Sequence, residues 1–271
     1  FQKISKFSKI SKSLTHTHKT HNHTIIHNRV GRIGLAGACL GMFFGVHATC
    51  AIWILSGSGE FGGFWLQWCL YGCVLSFFHL MEFFTTAAFN PASATYDSYL
   101  INHSTAYTIA ALVSWLEFWL KNLVGTTTGL NWSFPPSHIS ILVGLLFTTF
   151  GQFARSLAMW TARSNFNHIV QDRKHKGHVL VTSGIYTFLR HPSYVGFFYW
   201  SIGTQILLGN PFCIVAYTLA SWRFFNQRIP VEEEFLATRI FPNEYPRYMK
   251  RTYIGIPFIK SFTGVHVTTR R

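Results

Sequence analysis

Long runs without charge dominate the chain. Residues 33–55 contain no Lys, Arg, Asp or Glu, and at about 1.5 Å per helical residue that length spans the roughly 30 Å of a bilayer core. Residues 61–81 form a second such run, and residues 107–124, interrupted by Glu117 and Lys121, a weaker third. Residues 139–154, extendable to Trp160, are the fourth. The last apolar block, 194–225, is broken by Asn210 and Pro211 into two pieces that are each short for a crossing. It reads as a tight hairpin of two short or tilted helices. The pattern predicts an all-α integral membrane protein with about six transmembrane helices and a C-terminal helical hairpin. The expected division is a basic polar tail over 1–32, helices one to four over 33–160, and a third region over 161–271. That last region holds a cytosolic loop, the hairpin at 194–226 and a C-terminal cytosolic segment.

Composition agrees. Of 271 residues, 49% are hydrophobic and only 12% charged, where about a quarter is usual for a soluble domain. The net charge is +14. Sorted by position, 7 Lys and Arg lie in residues 1–32, one (Lys121) in 33–154, 6 in 155–190 and 9 in 223–271. The cations flank the apolar runs instead of forming one basic face, which argues against a nucleic-acid partner and for a lipid bilayer. With six spans, both termini and the loop at 161–193 share a face, and the cation excess assigns that face to the cytosol. Of the N-x-S/T triplets at Asn22, Asn102 and Asn131, only the last falls in a predicted lumenal loop.

Several features invite a structural reading. Lys3, Lys6, Lys9 and Lys12 alternate with Ile4, Phe7 and Ile10, as in a surface helix on anionic lipid, with a targeting peptide as the rival. His16, His18, His21 and His23 lack a carboxylate or Cys companion, and no metal is expected. Cys39, Cys50, Cys69, Cys73 and Cys213 read as small packing residues. Gly37, Gly41 and Gly45 recur every four residues, a groove for close helix contact. Glu117 and Lys121 are spaced to pair on one helix face; Glu82, three residues after His79, reads as an interface residue.

Ordered polar residues begin at Ser164. The stretch runs through Asn165, Asn167, His168 and Gln171, then His178-Val179-Leu180-Val181-Thr182-Ser183-Gly184-Ile185-Tyr186, then Arg190-His191-Pro192-Ser193-Tyr194. Residues 179–181 are β-capable, Ser183-Gly184 is a turn, and Pro192 with Ser193 marks a helix start whose free amides suit a carboxylate. Beyond the hairpin lies Arg228-Ile229-Pro230-Val231-Glu232-Glu233-Glu234. In a helix, Arg228 and Glu232 share a face while Glu233 points elsewhere. Beside a membrane cleft, such a pair can orient a carboxylate on the Arg and a cationic ligand group on the Glu.

The run HVLVTSGIYTFLRHPSYVGFFYWSIGTQILLGNP, with SNFNHIVQ before it and RIPVEEEFL after it, resembles the isoprenylcysteine carboxyl methyltransferase family. The resemblance covers roughly residues 30–260, including NHSTAYTIAALVSWLEF and the closing YIGIPFIK. It does not cover the N-terminal tail, and many members carry a further helix pair before the first span. The stretch 239–243 is slightly irregular against the family. The resemblance implies methyl transfer from S-adenosylmethionine, with S-adenosylhomocysteine as product, to the C-terminal carboxylate of prenylated CaaX-type proteins such as small GTPases, at the endoplasmic reticulum membrane. It implies that 161–271 is the catalytic region, with a cytosolic cofactor-binding region in which Gln171, His178, Val179, Leu180, Val181, Tyr186, His191, Pro192, Ser193, Tyr194 and Glu232 hold the cofactor. Arg228 is implied to engage the substrate carboxylate, so that Arg228 and Glu232 are the expected catalytic pair. A phospholipid N-methyltransferase would share the cofactor pocket, but an Arg is poorly matched to an amine acceptor. A basic membrane scaffold would explain the spans and not the ordered polar string from Ser164 to Glu234.

Overall fold

The computed structural model describes residues 30–57, 63–102, 104–130, 132–134, 137–174 and 177–264; the lysine-rich tail and Asn131 lie outside them. The described helices are α1 Val30–Leu55, α2 Gly63–Phe89, α3 Thr105–Thr128, α4 Ser137–Ala162, α5 Pro192–Leu208, α6 Pro211–Phe235 and the short α7 Tyr245–Met249. Among the described residues there is no strand, and the β-capable stretch 179–181 forms none. A lone parallel bridge joins Leu189 to Tyr253. Among the described residues, the apolar runs are helical apart from the turn at Gly209 and Asn210. Three helices, α1, α2 and α4, have the length and apolarity to cross a bilayer.

The helix surfaces suit lipid. Leu35, Met42, Val46, Ile52 and Leu55 of α1, and Leu142, Leu146, Phe150 and Phe153 of α4, are exposed. In water such continuous apolar faces would drive association; against acyl chains they lose nothing.

Helix α5 is the centre of the molecule, with 13 of its 17 residues buried. Its closest neighbour is α4, and glycine permits the approach. A Cβ on Gly151 of α4 would lie 2.5 Å from the Gly196 carbonyl oxygen, and one on Gly196 would lie 2.6 Å from the Arg155 amide nitrogen. Gly144 and Gly203 meet Leu207 and Thr148 in the same way. This is the small-residue crossing that the sequence placed on α1. There, among the described residues, a Cβ on Gly37 would meet the Tyr99 hydroxyl, while one on Gly41 or Gly45 would meet nothing within 4 Å.

The α5–α6 hairpin turns at Gly209, whose φ of +63° favours a residue without a side chain. Glu117 and Lys121 do not pair with each other as their spacing suggested. The buried Lys121 ammonium donates to the carbonyls of Leu208 (2.7 Å) and Gly209 (2.8 Å) at the end of α5. Glu117 instead accepts from the amides of Phe212 (2.9 Å) and Cys213 (2.8 Å) at the start of α6. Each charge sits at the helix end of opposite sign, which satisfies orphan backbone groups where water is scarce.

After α6, the chain passes through a π-helical turn, Leu236–Ile240, which overlaps the slightly irregular stretch 239–243 only at Arg239 and Ile240. The final segment then packs back. Ile254 and Ile256 join Val195, Phe198 and Ile202 of α5 and Phe225 and Ile229 of α6 in one core. The Arg190 amide donates to the Tyr253 carbonyl (2.9 Å), and the Tyr253 amide to that of Phe188 (2.9 Å).

Candidate active site

A cleft opens where the 164–191 loop, the start of α5 and the end of α6 converge. Its lining includes Gln171, His178, Val179, Leu180, Val181, Tyr186, His191, Pro192, Ser193, Tyr194 and Glu232, so all eleven residues expected at the cofactor come together. Arg228 lies beside it, one turn before Glu232. Its Nε donates to the Tyr194 hydroxyl (2.8 Å), and that hydroxyl donates in turn to Glu232. The Arg228 Nη2 donates to the His168 carbonyl (2.6 Å). Two of the five guanidinium N–H donors are thus engaged, and the Nη1 edge is left uncommitted among the described residues. Tyr194, sharing the clamp and stacked parallel on the His191 ring at 5.4 Å, is the hinge between the two sides.

The helix start at Pro192 is less open than its sequence suggested. The amides of Tyr194 and Val195 both return to the His191 carbonyl (3.0 Å each), so the first turn closes on itself and free donors there are few.

Glu233 does point away from Arg228 and Glu232, into a network no spacing rule revealed. Arg190 donates to it through Nε (2.5 Å), His191 Nε2 lies 3.1 Å from it, and the Ser261 hydroxyl (2.7 Å) and Phe262 amide (2.8 Å) complete its shell. It lies beyond the apolar part of α6. Burial alone would raise its carboxyl, but the His191 ring and then the Arg190 guanidinium outweigh this and hold it at about 2. Arg190 also donates to the Thr252 carbonyl (2.6 Å). The cleft floor is therefore strapped to the C-terminal segment.

Other lining residues escaped the sequence reading: Leu236, Phe241, Tyr245 and Tyr248 form the wall facing Leu180. The available signal was an aromatic stripe at 241, 245 and 248, a helical spacing in a polar stretch. Tyr248 donates to the Tyr186 carbonyl (2.6 Å), and burial pushes its phenol up to about 12 against the pull of Arg190 and Arg251. The Tyr245 hydroxyl is buried in this wall with no hydrogen-bond partner among the described residues, a group that a bound polar molecule would satisfy.

A further ion pair lies behind the cleft. Glu82 of α2 receives Arg155 of α4 in a two-point grip through Nε and, at 2.9 Å, Nη2. Glu82 and Arg155 are therefore both buried inside the bundle.

Comparison with known proteins is decisive at this point. Residues 142–238 match the profile of the isoprenylcysteine carboxyl methyltransferase (ICMT) family. The chain is 48% identical over 217 residues to protein-S-isoprenylcysteine O-methyltransferase of Homo sapiens, covering 78% of this chain and 74% of that one.

The chain belongs to the isoprenylcysteine carboxyl methyltransferase family.

It is also 40% identical to the Schizosaccharomyces pombe protein of the same name, over 85% of this chain and 96% of that one. The Xenopus laevis relative is 51% identical over 197 residues, and the match spans 66% of its length. A solved structure of a eukaryotic intramembrane Ras methyltransferase ICMT superposes with a TM-score of 0.74 at 41% identity, covering 85% of this chain and 79% of that one. Membership in this family makes the chain a membrane-embedded methyltransferase of the isoprenylcysteine class.

Proposed function

We propose that this chain transfers a methyl group from S-adenosylmethionine to the C-terminal α-carboxylate of a farnesylated or geranylgeranylated cysteine, giving a methyl ester and S-adenosylhomocysteine. The observation that carries this reading is the Arg228–Tyr194–Glu232 clamp at the edge of the cleft, which sets a cation for an acceptor carboxylate beside a carboxylate for a cofactor. The cleft suits the cofactor chemically. Leu180, Val181 and Leu236 offer an apolar wall, Tyr245 an unsatisfied hydroxyl, and Glu232 a partly exposed carboxylate. Gln171, His178, Tyr186 and the 191–194 segment complete the holding set. When bound, S-adenosylmethionine supplies an electrophilic methyl carbon on a sulfonium.

The chain's own residues have a limited task. An α-carboxylate has a pKa of about 3.5 and is ionised at neutral pH, so no general base is required. Arg228 positions that carboxylate through its uncommitted edge, and its engagement by Tyr194 and the His168 carbonyl fixes the guanidinium plane before substrate arrives. Glu232 and the His191–Tyr194 segment hold the other reactant, and the surrounding aromatics exclude water from the nucleophile. A prenyl tail partitions into lipid, so the acceptor enters sideways between helices while the polar cofactor arrives from the cytosolic face. The substrates would be prenylated CaaX proteins, small GTPases among them, at the endoplasmic reticulum membrane, with the regions 161–193 and 223–271 facing the cytosol.

The direct assay combines membranes containing the chain, methyl-labelled S-adenosylmethionine and a farnesylated cysteine analogue. The expected result is label released as methanol by base. Label that resists base would indicate an N-methyl product and reject the assignment.

A further inference from the structure

The Glu82–Arg155 pair is almost fully buried, with Glu82 1% and Arg155 6% exposed. Removing two charges from water is costly, and an apolar replacement is often as stable, so such a pair is weak evidence for stability alone. Its connections are more informative. Arg155 Nη1 donates to the Ser193 hydroxyl (3.0 Å) and approaches the Ser193 carbonyl (3.4 Å), at the first turn of α5. Ser193 lines the cofactor side of the cleft. On the other side of the pair, His168 Nε2 lies 3.8 Å from Glu82 Oε2. The carbonyl of this same His168 accepts from Arg228, the acceptor-side residue. The guanidinium is also held over the rings of Phe78 and Phe197, 5.6 Å from each centroid, which fixes its plane. A second tie supports the loop, since Nδ2 of Asn90, the residue just after α2, donates to the Phe166 carbonyl (3.3 Å).

We propose that Glu82 and Arg155 are positioning residues that set the two halves of the cleft in register, the cofactor side through Ser193 and the acceptor side through His168 and Arg228. Neither side chain lines the cleft; each acts through another residue. The inference rests on the assignment of the cleft given above. Its distinguishing feature is that one buried pair controls two binding constants at once, where a merely structural pair would lower stability and leave both unchanged.

The test uses the full chain in lipid nanodiscs and reads thermal stability, the Kd of S-adenosylhomocysteine by calorimetry, and KM for farnesylated cysteine analogue. Arg155→Lys retains the charge beside Glu82 but cannot grip Glu82 and reach Ser193 together. It should raise both constants about fivefold or more. Ser193→Ala should raise the Kd alone. In the double variant, Arg155→Lys should add nothing further to the Kd while still raising KM. His168→Ala, at a partly exposed position, should raise KM and leave the Kd as it was. Stability loss in Arg155→Lys with both constants within about twofold of the parent, or additive effects of Arg155→Lys and Ser193→Ala on the Kd, would overturn the proposal. If Arg155→Lys does not fold, an unchanged KM in His168→Ala overturns it. Absence of ester formation by the unaltered chain would instead count against the assigned reaction, and the S-adenosylhomocysteine readout would still judge the coupling to Ser193.

Discussion

Tyr194 accepts from Arg228 and donates to Glu232, so one phenol orders the groups assigned to both reactants. The roles separate on substitution. Arg228→Ala should abolish detectable ester formation while the Kd for S-adenosylhomocysteine stays close to that of the parent, because no expected cofactor contact is removed. Unchanged turnover would refute its acceptor role. Glu232→Ala should weaken cofactor binding by about tenfold or more, the scale of a charge-assisted hydrogen bond lost from a half-buried site; calorimetry that finds the same affinity would refute that assignment. Tyr194→Phe deletes only the hydroxyl and should impair both constants, which KM and Kd measured side by side will show. At this scale, the sequence showed Arg228 and Glu232 one turn apart in a chain where acids are scarce, while the roles proposed for them come from the family resemblance. Glu233 was as visible and was passed over, because its partners Arg190, His191 and Ser261 are 28 to 43 residues away, and no local periodicity encodes such a contact.

Among elements, the α4–α5 crossing carries the cleft, since Pro192 and Ser193 begin the helix that Gly151 and Gly196 allow to seat. Gly196→Ala would place a methyl 2.6 Å from both the Arg155 amide nitrogen and the Gly151 carbonyl oxygen. It should destabilise by about 1–3 kcal/mol, the range for overpacking in a well-packed core, and lower activity with it; thermal melts in detergent, compared with Gly41→Ala on the open face of α1, provide the check. The helices were readable from hydrophobic runs because a bilayer demands length and apolarity within one segment. Which glycines meet a neighbour was not readable. Gly37, Gly41 and Gly45 have the cleaner spacing, yet the partner that makes a small residue necessary comes from a distant segment. The same holds for Glu117 and Lys121, whose separation of four predicts a pair, and which the hairpin turn draws apart to two helix ends.

At the level of the whole molecule, the C-terminal segment is bound to the cleft through Glu233. With its carboxyl held near 2 against an ordinary value of 4.5, this contribution is complete above about pH 4.5 and is lost as pH falls towards 2. Thermal stability in detergent should therefore decline across that window. Glu233→Gln should flatten this acid limb and lower neutral stability by about 3–5 kcal/mol, since it leaves Arg190 buried without its counter-charge; an acid limb identical to the parent's would show that other carboxylates govern it. Orientation is testable as well. Glycan addition at Asn131 and not at Asn22, read by gel shift after expression in microsomes, is the outcome expected if the cation-rich faces are cytosolic. The sequence by itself determined the helical class and the hairpin, because lipid imposes local rules on composition, and its polar string carried the family resemblance that implied which residues would gather around the cleft. Only the tertiary structure decided that α5 is central, that Glu82 grips Arg155 behind Ser193, and that Tyr245 and the C-terminal strap close the site. Those features depend on pairings between segments far apart in the chain, and a buried charge takes its partner from whatever the fold brings beside it.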